Sequence, residues 1–294
     1  MTRPSYPFDR TFWVDPDSGA NQLARTTAFV VMAGHDESTT PMVLGGNPED
    51  WLLPELTARG HVLVVNRASR GRFDYWVEAN RLADFIAGRV ELFGISRLVI
   101  IAKSMSGRTG TFLIDALRER NLGHLIEGDN GLFIAQCAMW DGDDLRHPRV
   151  TRLLGYIWRW PNWLTERTIM RFQIAGARKL KWDVPQDDPW VMAHYQSMAH
   201  YPLPLRRSEM LAMTDERLRI FPLRDYGNVR LVYLGVLKDP LVRPTAAGKY
   251  RVAFGDIEHL LLPGLGHGTM TEQPVAWRRI LLAILDGHGF TRHD

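Results

Sequence analysis

The chain has 294 residues, 45% of them hydrophobic and 23% charged, with a formal charge of +3. That balance excludes a disordered or fibrous chain and suits one large core, or one core with a small appended unit. A single cysteine, Cys137, excludes an internal disulfide and a cysteine-based zinc site, and no apolar run approaches the ~20 residues that span a bilayer.

The first half alternates strand and helix signals. Ala28-Phe29-Val30-Val31-Met32 is a buried-strand run ending at Ala33-Gly34. Glu49 to Arg59 predicts a helix, with Pro48 near its start and Gly60 just past its end. His61 to Val65 is another strand, and Tyr75 to Phe93 has helical spacing (Trp76, Ala79, Leu82, Ala83, Ile86, Val90) stopped by Gly94. Leu98-Val99-Ile100-Ile101 and Gly131 to Ala135 are further strands, on either side of a helix-like stretch from Thr111 to Leu117. From about Asp143 to Leu218 strand signals stop, and tryptophan, methionine, arginine and prolines take over. The alternation resumes with strands Val229–Leu234 and Ile257–Leu262, each followed by a helix, Thr245–Phe254 lying between them and Val275–Leu285 ending the set. Alternating β and α segments with continuously apolar strands predict an α/β protein: a doubly wound, mostly parallel sheet covered on both faces. Residues 1–142 and 219–294 would form that core, and residues 143–218 a helical insertion at the edge where loops build a site.

The most informative segment is Ile101-Ala102-Lys103-Ser104-Met105-Ser106-Gly107. A strand turning at once into a helix strains the residue at the bend, and small side chains two before and two after it let the backbone pass. Ala102 and Ser106 meet that need and leave the Ser104 hydroxyl above the sheet edge, where a nucleophile belongs. Taken alone, Ser104 could also be a helix cap. A serine nucleophile needs a base, and that base an orienting acid. Asp239 follows the strand of Leu231–Leu234, in a loop stiffened by Pro240 and Pro244. His267 follows the next strand, with glycines on both sides. All three stand at predicted carboxyl ends, in the order serine, acid, histidine. Asp141, after the strand of Phe133 and Ile134, is the alternative acid. An oxyanion hole needs two N–H groups; Met105 and His35 are the candidates, the His35 side chain serving as substrate contact or as wall. Lys103 could line a substrate pocket, meet an anionic substrate, or pair with Asp36 or Glu37.

These residues resemble the α/β-hydrolase superfamily, in its lid-bearing serine esterase, lipase and lactonase-like branch. Ala102-Lys103-Ser104-Met105-Ser106-Gly107 is similar to its G-x-S-M-G-G elbow, Gly235-Val236-Leu237-Lys238-Asp239 to its acid loop, and Gly266-His267 through Glu272-Gln273-Pro274 to its G-H-x-x-x-x-E-x-P ending. The resemblance covers nearly all the chain outside the insertion. Two departures stand out: Ala33-Gly34 replaces the His-Gly before the oxyanion donor, and Asn66-Arg67-Ala68-Ser69-Arg70-Gly71-Arg72 is a degraded form of D-x-R-G-x-G-x-S. Serine at the elbow excludes the branches with an aspartate nucleophile.

The resemblance implies that residues 143–218 lie over the site as a lid. Trp158, Trp163 and Trp190 are candidates for an apolar substrate pocket, and arginines such as Arg146, Arg149 and Arg152 make the segment basic. The expected activity is hydrolysis of a carboxylic ester, thioester or lactone through an acyl-enzyme on Ser104, His267 and Asp239, with no cofactor and no metal. An acyltransferase, a carbon–carbon bond hydrolase or a cofactor-free lyase would use the same residues; a small-molecule binding protein would keep only the pocket. The N-terminal residues carry no apolar signal segment, so a cytoplasmic protein is expected. Its partner would be a small molecule with an apolar acyl or alcohol group. A pI near 9.1 is the one hint of nucleic acid, and without a repeated basic–aromatic platform none is expected.

Overall fold

In the computed structural model the residues described are 11–35, 39, 43, 52–67, 72–157, 203–215, 224–237, 239–263, 265–268 and 273–292. In chain order these form β1 (Phe12–Val14), α1 (Gln22–Arg25), β2 (Thr27–Met32), α2 (Leu52–Thr57), β3 (His61–Val65) and α3 (Tyr75–Phe93). There follow β4 (Arg97–Lys103), α4 (Ser106–Glu119), β5 (Gly131–Gln136), α5 (Pro148–Ile157), α6 (Leu203–Met213), β6 (Leu231–Val236), α7 (Thr245–Phe254), β7 (Glu258–Leu262) and α8 (Pro274–Gly287). Local chemistry sets several of these bounds. Asp74 caps α3 by accepting from the N–H groups of Trp76 and Val77, and Gly94 ends it in the left-handed conformation, φ 65°.

The seven strands lie in the order β1-β3-β2-β4-β5-β6-β7. All neighbours are parallel except β1, which runs antiparallel to β3. The chain steps from β2 outward to β3, then crosses back to place β4 on the other side of β2. That reversal opens a crevice between the loops that follow β2 and β4, at the strands' carboxyl ends.

Two apolar layers sandwich the sheet. Leu98, Ile100 and Ala102 of β4 face α3, α4 and α7, whereas Val99 and Ile101 face α2 and α8. Strands buried on both faces read as near-continuous apolar runs: β2, β3, β5 and β6 are buried at every position, with Thr27, His61 and Gln136 the polar residues among them. Helix α4 is buried all round from Ser106 to Leu117. It lies close to the sheet because Gly107 and Gly110 carry no Cβ. At Gly110 one would meet the Phe133 ring at 2.8 Å.

The structure corrects the sequence reading in four places. β1 carries too few residues to leave a periodic signal. Helix α4 begins at Ser106, ahead of the Thr111–Leu117 stretch, because Ser106 and Gly107 turn directly out of the bend. β6 lies two residues later than Val229–Leu234. β7 is an edge strand with half-exposed residues, so its apolar run is not buried on both sides as expected. Of residues 143–218, expected to form an insertion, α5 and α6 are described and pack against one another.

Candidate active site

Ser104 sits at the bend between β4 and α4 with φ 53°, a left-handed conformation that costs a non-glycine residue roughly 1–2 kcal/mol. Neighbouring backbone holds it there. The Ser104 N–H donates to the Gln136 carbonyl (2.8 Å), and its own carbonyl accepts from Gly107 (3.1 Å) and Met139 (3.2 Å). A Cβ on Gly107 would lie 2.3 Å from the Ala138 Cβ and 2.6 Å from the Tyr250 hydroxyl, so this close approach requires glycine. The Ser104 hydroxyl makes no hydrogen bond to any described residue, and neither does the Met105 N–H beside it.

Asp239 and His267 come together across two loops. Nδ1 of His267 donates to Oδ2 of Asp239 at 2.9 Å, which leaves Nε2 of a neutral ring as an acceptor. The other carboxylate oxygen accepts from the N–H groups of Leu241 (2.8 Å) and Val242 (2.9 Å). Burial by itself would raise the Asp239 carboxyl; the charge and hydrogen bond of His267, with those two N–H groups, outweigh it and hold the carboxyl below its usual range. No hydrogen bond joins the Ser104 hydroxyl to the His267 ring in this arrangement. Asp141 is committed elsewhere: it caps the short turn at Gly142–Asp144 and receives the Lys249 ammonium at 2.7 Å.

Two features escaped the sequence reading here. Cys137, directly after β5, has φ 44°, and its thiol lies with the Asp239 carboxylate and the His267 ring in a group whose ligand atoms are all within 4.8 Å of one another. Asp239 and His267 already satisfy each other, so the group is an acid–base couple with a thiol neighbour. Burial first, then the negative charge of Asp239, push that thiol well up, so it stays protonated. Arg146, read as part of a basic lid face, precedes α5 and donates from Nε to the Asp239 carbonyl at 2.5 Å. Only the position of Cys137 one residue past a strand end could have marked it.

On the opposite flank, Arg67 reaches the loop after β2, donating to the carbonyls of Gly34 (2.6 Å) and Ala33 (3.0 Å). Ser106 also donates to the Ala33 carbonyl. His35 stands at the end of this strip, its Nδ1 2.7 Å from Oε2 of Glu209 on α6. The sequence reading took Arg67 only as a remnant of a degraded motif and did not single out Glu209. Lys103 is 1% exposed and is the last residue of β4, in register with Gln136 of β5. Trp158, Trp163 and Trp190, like Asp36 and Glu37, lie outside the described residues.

Strand order, parallel register, bend and flanking helices together define the α/β-hydrolase fold, and this chain has it. Among solved structures it is similar to the esterase RhEst1 from Rhodococcus sp. ECU1013 (16% identity, 95% of each chain covered, TM-score 0.64). It is likewise similar to an esterase from Thermogutta terrifontis (14% identity, 95% of this chain and 93% of that one, TM-score 0.63). A third is the 2-hydroxy-6-oxo-6-phenylhexa-2,4-dienoate hydrolase BphD from Rhodococcus sp. strain RHA1 (15% identity, 90% and 92%, TM-score 0.62). No protein-family profile and no curated protein sequence matches the chain. No helix among the described residues is long and apolar enough to cross a membrane.

Proposed function

We propose that the protein is a serine hydrolase that cleaves a carboxylic ester, thioester or lactone. Ser104 Oγ bonds to the substrate carbonyl carbon as its proton passes to Nε2 of His267, which Asp239 orients and charge-balances. The N–H groups of Met105 and His35 receive the developing oxyanion. The bond to the leaving group then breaks as His267 returns the proton to the departing oxygen or sulfur. Water deprotonated by His267 attacks the acyl carbon, the bond to Ser104 breaks, and the hydroxyl is restored. Residues 143–218 would cover the site as a lid, and the esterases among the structural neighbours agree with this chemistry.

The observation that carries the reading is the 2.9 Å Asp239–His267 bond at the same sheet edge as a strained serine whose hydroxyl and following N–H make no hydrogen bond among the described residues. The unmade hydrogen bond between serine and imidazole is compatible with this reading, since catalytic hydrogen bonds are often long in unliganded sites. Intact-mass analysis after a fluorophosphonate probe tests it. One adduct is expected on the wild type and none on Ser104→Ala. Labelling that survives the substitution, or a wild type that neither labels nor hydrolyses p-nitrophenyl esters, overturns the assignment.

A further inference from the structure

Glu209 is fully buried, 0% exposed, and stands on α6, a helix of the insertion. Its two oxygens serve two partners on the loops of the sheet. Oε1 lies 3.2 Å from Nη1 of Arg67, and Oε2 2.7 Å from Nδ1 of His35. A carboxylate only accepts, so the His35 ring donates from Nδ1. Arg67 in turn spans the carbonyls of Ala33 and Gly34, and its Nη2 also donates to the Ser106 hydroxyl at the start of α4. Its guanidinium lies over the Phe73 ring, 5.5 Å from the centroid. One residue before Glu209, the Ser208 hydroxyl accepts from the Phe73 N–H, so α6 holds the Arg67 environment at two points.

Peptide planarity converts this clamp into an orientation. The carbonyl of Gly34 and the N–H of His35 belong to one trans peptide and point in opposite directions. Arg67 fixes the carbonyl, and so aims the N–H away from itself. The same holds for the Ala33 carbonyl and the Gly34 N–H. Two neutral carbonyls do not balance a cation that is nearly out of water, and a buried charge without a partner leaves its position or costs several kcal/mol. Glu209 is the carboxylate among the described residues that pairs with it, and its second oxygen grips the very residue whose N–H is being aimed.

We propose that Glu209 is a positioning residue through which the insertion sets the oxyanion-side loop, acting on the His35 N–H by way of Arg67 and the His35 ring. This rests on the hydrolase reading and extends it: the hole is complete only when α6 is seated. An aligned hole stabilises the transition state and not the bound ester, so its loss appears in kcat.

Glu209→Gln keeps the shape and removes the charge. In p-nitrophenyl ester hydrolysis its kcat is expected to fall on the order of 10- to 100-fold, less than the loss of an oxyanion donor outright, with KM changed by less than about threefold. Affinity for a phenylboronic acid, whose adduct on serine carries an oxyanion, should fall by the same factor as kcat. Glu209→Asp should recover part of both. Arg67→Lys keeps a charge but cannot span two carbonyls and a carboxylate together, so it should reproduce the pattern and serves if Glu209→Gln does not fold. A wild-type kcat and boronate affinity in both variants, or a loss confined to KM, overturns the proposal while the hydrolase reading stands. A wild type without fluorophosphonate labelling or turnover removes both.

Discussion

On one flank of Ser104, Asp239 takes hydrogen bonds from N–H groups two and three residues further along its own loop, and from His267 only 28 residues away. On the other flank the Ala33 N–H has a near partner in Thr39, but the rest of the strip Ala33–His35 is held by partners 33, 34, 73 and 174 positions distant. On one side the carboxylate is held largely from its own loop and from His267; the other side is a surface on which separate elements meet. The first will hold its geometry when distant parts of the chain are altered, the second will not.

The self-organised flank gives the largest expected effect. Asp239→Asn replaces the acceptor of the His267 Nδ1–H by a group that can present N–H instead, favouring the wrong tautomer for taking a proton from Ser104. On the proposed mechanism kcat should fall roughly 10³- to 10⁴-fold, measured by ester hydrolysis, with the fold intact by circular dichroism. The stability cost has a definite pH dependence. The folded-state carboxyl is held below its unfolded value, so the stability that it contributes is present above that unfolded value and lost as pH falls through the folded one. The deficit of the variant in urea unfolding should therefore be constant across neutral pH and shrink only below about pH 4, the ordinary carboxyl range. An active Asp239→Asn would dissolve the contrast between the flanks, and the acid would have to be sought elsewhere.

The same contrast explains what could be read from the residues. The bend at Ser104 announces itself within a few positions, through Ala102, Ser106 and the apolar run of β4; Asp239 follows the apolar strand β6, and His267 follows the Leu260–Leu262 run that ends β7. A mostly parallel sheet covered on both faces follows from the same runs, except at the half-exposed edge strand β7; the strand order does not. Glu209 has no such marker. It lies in a segment of arginines, methionines and prolines, and its partners Arg67 and His35 are paired to it only by the fold. The short β1 and the thiol of Cys137 were missed for related reasons: three residues make no period, and a lone buried cysteine looks like any small apolar side chain. Lys103 shows the converse: a charge beside the bend invites a role in binding, and its burial at 1% exposure is not foreseeable from its charge.

Between the flanks lies the bend itself, which should respond in stability and activity together. Gly107→Ala sets a methyl against Ala138 and Tyr250 at distances no side chain tolerates. Ala is the better helix former, by about 1 kcal/mol, yet overpacking of this kind costs about 1–3 kcal/mol and here forces backbone to move. A net loss of about 2 kcal/mol in urea unfolding is expected. Because Met139, next to Ala138, donates to the Ser104 carbonyl, esterase activity per folded molecule should drop as well. A stable, fully active variant would show that the approach of α4 to the residues after β5 is not what sets the bend.

The smallest effect tests whether the Asp239 loop is self-organised in fact. That loop is also stitched to residues 141–146: Arg243 donates to the Asp144 carbonyl (2.7 Å), Arg146 to that of Leu241 (2.9 Å), and Leu145 bridges Val242. Lys249 anchors the stitch from α7, 2.7 Å from Asp141 and 2.9 Å from the buried Asp144. Burial lowers the Lys249 ammonium, and the hydrogen bonds and charges of the two carboxylates more than reverse that, so its folded value is raised. Stability from a raised cation is fully present below its unfolded value and is lost as pH rises through the folded one. Lys249→Met should thus cost about 1–2 kcal/mol, below the range for fully buried pairs because solvent screens the exposed part of the ammonium. The cost should be steady from neutral pH to about pH 10 and diminish above it. Asp144 keeps the Trp140 and Asp141 N–H groups and the Thr245 hydroxyl, which limits the damage. Since Leu241, Val242 and His267 still hold the carboxylate, kcat should stay within about twofold of wild type, a change too small to register as a lost catalytic interaction. If kcat falls instead while stability holds, Asp239 depends on distant anchors as the Ala33–His35 strip does, and both flanks of Ser104 are set by the fold as a whole.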